Sequence, residues 1–159
     1  MQPTPMVLVF VTDAVRGRVL LGLKHRGLGA ANVVGLGGHI EPGETPAEAA
    51  VREVFEEAGV VLDEALLGGA GVIQFRFPAS PGWDQDVAVF TTTEAIDEPT
   101  PSEEITPRWY PIDSLPFASM WDDARYWTAE VLAGGVVDAT VTFGDDNRSV
   151  AHFDESRLT

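Results

Sequence analysis

The chain has 159 residues, no cysteine and a formal net charge of −15, with 45% of its residues hydrophobic. That length and apolar content suit one domain over residues 1–159 with a real core. The lack of cysteine rules out disulfides and thiol chemistry, and the charge argues against nucleic-acid polymers or anionic membranes as partners.

The elements follow in order. Pro5 to Thr12 is a continuous apolar run of strand length and predicts a buried central strand. A turn near Asp13–Gly17 leads to a partner strand over Arg18–Lys24. His25 to Gly38 holds five glycines and predicts a loop where the backbone passes close to something. Thr45-Pro46-Ala47-Glu48 is a capping box with proline at the first helical position, and Gly59 is a stop. The helix between them carries Ala47, Val51, Val54, Phe55 and Ala58 on one arc of roughly 100°, the expected core face.

Leu62–Gly69 gives mixed signals. Ala70–Phe77 and Asp86–Thr93 predict a pair of strands around a turn-rich loop, Pro78–Trp83. Ala95–Thr106 is acidic and proline-containing, so a loop is expected, followed by an edge strand over Pro107–Ile112. Phe117–Ala133 has helical spacing and ends at Gly134-Gly135. Val136–Phe143 and Ser149–Phe153 predict a hairpin around Asp145-Asp146-Asn147, and the polar tail Asp154–Thr159 is expected to fray. Strands and two helices so interleaved predict an α/β fold, with helices on both faces of a mixed sheet. The N-terminus has neither a basic region nor a long apolar run, so a cytoplasmic protein is the expectation.

Glu53, Glu56 and Glu57 share a second arc of the first helix at i, i+3, i+4 spacing. Like charges so placed destabilise a helix by about 0.2–0.5 kcal/mol per pair, whereas a hard divalent cation reverses the sign. A solvated acidic face is the plain alternative. The full pattern decides between them: Gly38, five residues, Glu44, seven residues, then Arg52-Glu53-Val54-Phe55-Glu56-Glu57-Ala58-Gly59-Val60. Seven fixed identities at ordinary residue frequencies arise by chance in such a chain on the order of once in a million.

This stretch resembles the complete signature of the Nudix hydrolases. The resemblance implies an α/β/α sandwich and metal-dependent cleavage of a nucleoside diphosphate linked to another group, with Mg2+ as the cofactor and Mn2+ as an alternative. It implies Glu53, Glu56 and Glu57 as metal ligands with the carbonyl of Gly37, Arg52 as a buttress, and Glu44 as an orienting residue. Glu104 matches a loop glutamate that approaches the metal, with Glu103 its neighbouring competitor. Gly38 and the helix N-terminus offer N–H groups to anionic oxygens.

Outside that stretch, KHRGLGAANVVGLGGHIEPGE and PFASMWDDARYW are similar to the Nudix subgroup acting on oxidised purine nucleoside triphosphates, over about Val19 to Phe143. The subgroup implies Trp121 as a stacking platform, Phe75 and Phe77 on the pocket floor, Asp123 at the base edge and Lys24 near phosphates. It carries asparagine where Val34 stands and a second aspartate where Ala124 stands. Read alone, Trp121 is a packed helix aromatic, Phe75 and Phe77 are core, Asp123 is a helix-start carboxylate and Lys24 is a strand end. His39 is expected to be solvated, and His25 and His152 to be surface or satisfied core residues. The chemistry expected is hydrolysis of a purine nucleoside triphosphate to monophosphate and pyrophosphate. Two alternatives are a nucleotide sugar or dinucleoside polyphosphate as substrate, and a sensor that binds nucleotide without turning it over. Oligomeric state is not legible.

Overall fold

The computed structural model describes residues 2–94 and 96–156. Among the described residues, nine strands form one mixed sheet. β1 (Thr4–Asp13) lies at its centre, parallel to β6 (Gln85–Thr92) on one edge. Its other edge is shared, by β4 (Leu36–His39) near its start and β2 (Arg18–Lys24) near its end. β2 takes only Val11–Asp13 of β1, then pairs along its length with β7 (Ile105–Pro111) and at its end with β3 (Val33–Val34). Beyond β6 come β5 (Gly68–Arg76), β8 (Val137–Phe143) and β9 (Val150–Glu155).

Alternation along β1 builds two cores. Val7, Val9 and Val11 face α1 (Pro46–Ala58), while Met6, Leu8 and Phe10 face α2 (Ala124–Leu132). The sheet is thus covered by a helix on each face, as expected from the interleaved pattern.

Local chemistry sets the ends of α1. Thr45 Oγ1 accepts from the N–H of Glu48 at 3.1 Å, and Glu48 accepts from the N–H of Thr45 at 2.8 Å. Gly59 ends the helix with φ 68°, a conformation that L side chains resist, and its N–H bonds the Phe55 carbonyl.

Four expectations change. The buried face of α1 is Ala49, Ala50, Glu53, Val54, Glu57 and Ala58, and Phe55 is 56% exposed. The helix is therefore turned roughly 90° from the orientation its apolar residues imply, which brings two carboxylates against the glycine-rich strand β4. The glycine-rich stretch before α1 is not all loop, since Val33-Val34 and Leu36 form strand segments. The second helix is a short 3-10 turn at Phe117–Ser119 followed by α2 from Ala124 only, because Met120 is extended. Asp154 belongs to β9, opposite Thr140; 157–159 of the predicted tail lie outside the described residues. Among the described residues, no helix is long and apolar enough to cross a membrane.

Candidate active site

β4 and α1 place the acidic residues. Gly37 sits in β4 opposite Leu8, and its N–H donates to Glu57 Oε1 at 2.8 Å. The next residue, Gly38, packs against the Glu53 carboxylate: an added Cβ would lie 2.5 Å from Glu53 Cδ. Arg52 uses five hydrogen bonds to brace this corner. Its Nε and Nη2 hold Glu44 at 2.7 and 2.9 Å, Nη2 also reaches the His39 carbonyl, and Nη1 bonds Glu53 at 2.9 Å and Glu56 at 3.2 Å. Glu44 in turn accepts from the N–H of Glu41. Hydrogen bonds from Arg52 and then Glu41 pull the Glu44 carboxyl down to about 2.

The other carboxylates are driven the opposite way. Burial raises Glu53, against the opposing pull of Arg52, and the charges of Glu56 and Glu104 add to the rise. Burial raises Glu57 to about 8; the Gly37 N–H opposes this, and Glu53 and Glu104 reinforce it. Acids crowded so that each disfavours ionisation of the next are the electrostatic setting a cation relieves. Carboxylate oxygens with a backbone carbonyl are also a donor set for a hard divalent ion. Among the described residues, no three acidic or imidazole side chains converge on one point. Glu56, with a side chain 55% exposed, turns toward Arg52, and Glu104, 59% exposed, stands 3.9 Å from Arg26. The donor chemistry fits a divalent cation, with Glu53 and Glu57 buried beside Gly37 and Gly38 and Glu56 and Glu104 more exposed.

A cavity of about 170 Å3 opens beside Gly37, Gly38 and Glu57, between the sheet and α2. Its floor is aromatic: Phe143 stacks on Phe77 at 4.6 Å between centroids, with Phe75 beside it. Trp121 stands edge-on to Phe77 and Phe143. Its indole nitrogen lies so close to Gly29 that a Cβ there would sit 2.7 Å away, so the loop before β3 walls the cavity. Lys24 reaches in from the end of β2 and donates to the Leu28 carbonyl at 2.6 Å. Asp123, 4% exposed, accepts from the Trp127 indole N–H at 2.8 Å, and burial raises its carboxyl to about 6.

Of the residues singled out in the sequence, Lys24, Val34, Phe75, Phe77, Trp121 and Asp123 all line this one cavity, and Ala124 joins them. The acidic corner at Gly37, Gly38 and Glu57 and the aromatic cavity are therefore contiguous. His25, His39 and His152 are exposed, with His25 Nε2 2.6 Å from Thr106 Oγ1. Sequence reading missed Phe143 and Gln85. Gln85 precedes Val87 and Val89 at strand spacing, a signal that places it on the same face.

The Nudix domain profile matches residues 2–131. The chain belongs to the Nudix family. As a Nudix hydrolase it requires a divalent cation. The oxidized purine nucleoside triphosphate hydrolase of Mus musculus is 44% identical over 110 residues, 69% of this chain and 69% of that one. The protein of the same description from Danio rerio is 40% identical over 124 residues, 78% of each chain. In fold, a MutT protein from Bacillus halodurans superposes with a TM-score of 0.81 at 21% identity, covering 96% of this chain and 97% of that one.

Proposed function

We propose that this Nudix hydrolase converts oxidised purine nucleoside triphosphates and water to the monophosphate and pyrophosphate, cleaning the nucleotide pool. The observation that carries this is continuity: an aromatic, half-open cavity runs directly into the acidic corner at Gly37, Gly38 and Glu57. A base can stack on Trp121 above the Phe77–Phe143 floor while its phosphates reach α1.

Glu53, Glu56, Glu57 and the Gly37 carbonyl would hold Mg2+, joined by Glu104. When bound, the ion supplies charge neutralisation on the phosphates and orients a water for in-line attack. Arg52 holds Glu53 in place from behind, and Glu44 fixes Arg52. Glu56 and Glu104 are the solvent-reaching carboxylates suited to accept the proton of the attacking water. Lys24 carries the positive charge at the phosphate end of the cavity, and the N–H groups around Gly38 face the same anionic oxygens.

The test is a turnover screen with 8-oxo-dGTP, 2-hydroxy-dATP, dGTP and ADP-ribose, each with Mg2+, with Mn2+ and with chelator. Preference for the oxidised purines, lost on chelation, is the expected result. Equal rates on oxidised and plain guanine nucleotides overturn the pool-cleaning role, and tight binding without phosphate release in Mg2+ overturns hydrolysis of these substrates.

A further inference from the structure

Five polar side chains line the cavity: Lys24, Glu57, Gln85, Asp123 and Thr128. Lys24 and Glu57 lie at the phosphate end, already engaged with Leu28 and Gly37. Thr128 lines the cavity from α2 with no exposure at all. Asp123 gives one carboxylate oxygen to Trp127. Gln85 differs from Lys24, Glu57 and Asp123 in having no such bond among the described residues, and from Thr128 in being only partly buried. It opens β6 between Thr4 of β1 and Phe75 of β5. Its main-chain carbonyl accepts from Arg76, yet among the described residues its side-chain amide makes no hydrogen bond.

Building on the purine triphosphate reading above, we infer that Gln85 is a specificity-determining residue that reads the base edge from the sheet side, while Asp123 addresses the base from the helix side. An amide carries a donor and an acceptor side by side, the complement of a purine edge that offers one of each. Gln85 is only partly buried, so water can satisfy its amide in the free cavity and a bound base can take the place of that water. The side chains at Val34 and Ala124 are apolar and read no edge, which leaves base discrimination to Gln85 and Asp123.

The experiment compares wild type with Q85M, which keeps length and approximate volume but removes both hydrogen-bonding atoms, and with Q85E, which keeps an acceptor and removes the donor. Each protein is assayed for kcat and KM on 8-oxo-dGTP, 2-hydroxy-dATP and dGTP at saturating Mg2+, with thermal melting alongside. The expected result for Q85M is a KM raised about tenfold for the preferred purine with kcat nearly unchanged, and a flattened preference among the three. Q85E is expected to reorder the preference rather than flatten it. If Q85M fails to fold, the Q85E ratio alone decides. Wild-type turnover of purine triphosphates with an unchanged preference order and KM in the folded variants overturns the role of Gln85 and leaves the functional reading standing. A wild type inactive on all three overturns both.

Discussion

Gly38 and Glu53 meet with no room for a methyl group, since a Cβ on Gly38 would stand 2.5 Å from Cδ and 2.6 Å from Oε2 of the glutamate. The intruded atoms are the end of a flexible side chain, so the fold can yield by moving Glu53. G38A is therefore expected to destabilise the protein by only about 1 kcal/mol, yet to cut turnover about 100-fold, because a small misplacement at a reacting centre has that effect. Urea unfolding and steady-state kinetics check the two halves. A large stability loss with normal turnover of the folded fraction would show that Glu53 does not need this position.

Glu57 and Gly37 make a second close relationship with a different prediction. E57Q keeps an oxygen to accept the Gly37 N–H and removes a carboxylate that burial already disfavours. The variant should melt at or above the wild-type temperature in chelator and lose most turnover in Mg2+. Calorimetry with and without Mg2+ should show a metal-induced rise in melting temperature for wild type only. Full activity of E57Q removes Glu57 from the ligand set.

Arg52 braces Glu44, Glu53, Glu56 and the His39 carbonyl through its planar fork. Lysine cannot span that set. R52K is expected to lower stability by about 1–2 kcal/mol and turnover by about 10–100-fold, with KM for substrate little changed because Arg52 lies behind the acids. A variant that alters KM alone would place Arg52 on the substrate.

Asp123 makes the stability of the fold depend on pH. Burial raises its carboxyl from 3.8 to about 6 in the folded state, so between those values the native protein holds a proton that the unfolded chain has lost. The favourable contribution is whole below about pH 4 and is lost as pH climbs through 6, by a total on the order of 2–3 kcal/mol. D123N keeps an oxygen for the Trp127 indole and cannot titrate. The wild-type stability minus that of D123N, from urea unfolding at pH 4, 5, 6 and 7, should fall across this range. A flat difference would show that Asp123 titrates normally.

Thr128 is wholly buried in α2, and among the described residues its hydroxyl has no hydrogen-bond partner. Replacing it by the isosteric valine removes an unpaired polar atom, so T128V is expected to stabilise the protein by about 0.5–1 kcal/mol. Urea unfolding checks the sign. A loss of stability would reveal a partner for the hydroxyl, such as an internal water.

Much of this was legible because it rests on near-neighbour chemistry. The capping box at Thr45–Glu48, the stop at Gly59 and the spacing of the acids follow from a few adjacent residues. Short apolar runs bounded by turn residues marked β1, β2, β5 and β6 to within a few residues. The facing of α1 was not legible from hydrophobicity. Spacing says which residues share an arc, but the arc turned inward depends on what the sheet offers, and here two glycines admit Glu53 and Glu57 while Phe55 is left outside. The length of α2 was misread for a similar reason. Met120, Trp121 and Asp123 have helical spacing, but they serve the cavity and α2 begins only after them. The strand spacing of Gln85 with Val87 and Val89 gives its face, but that this face lines the cavity depends on β5, β6 and α2 meeting.

The pairing of Thr4 with Gln85 along two parallel strands has a bearing on how the molecule is made. The first sixty residues already contain β1, β2, β4 and α1, whose contacts with one another join nearby segments of the chain. The other edge of β1 waits for a strand that leaves the ribosome much later, and the aromatic floor waits for Phe143. Such distant pairings form slowly. During synthesis Gly37, Glu53, Glu56 and Glu57 thus emerge well before Glu104 and the aromatic floor of the cavity.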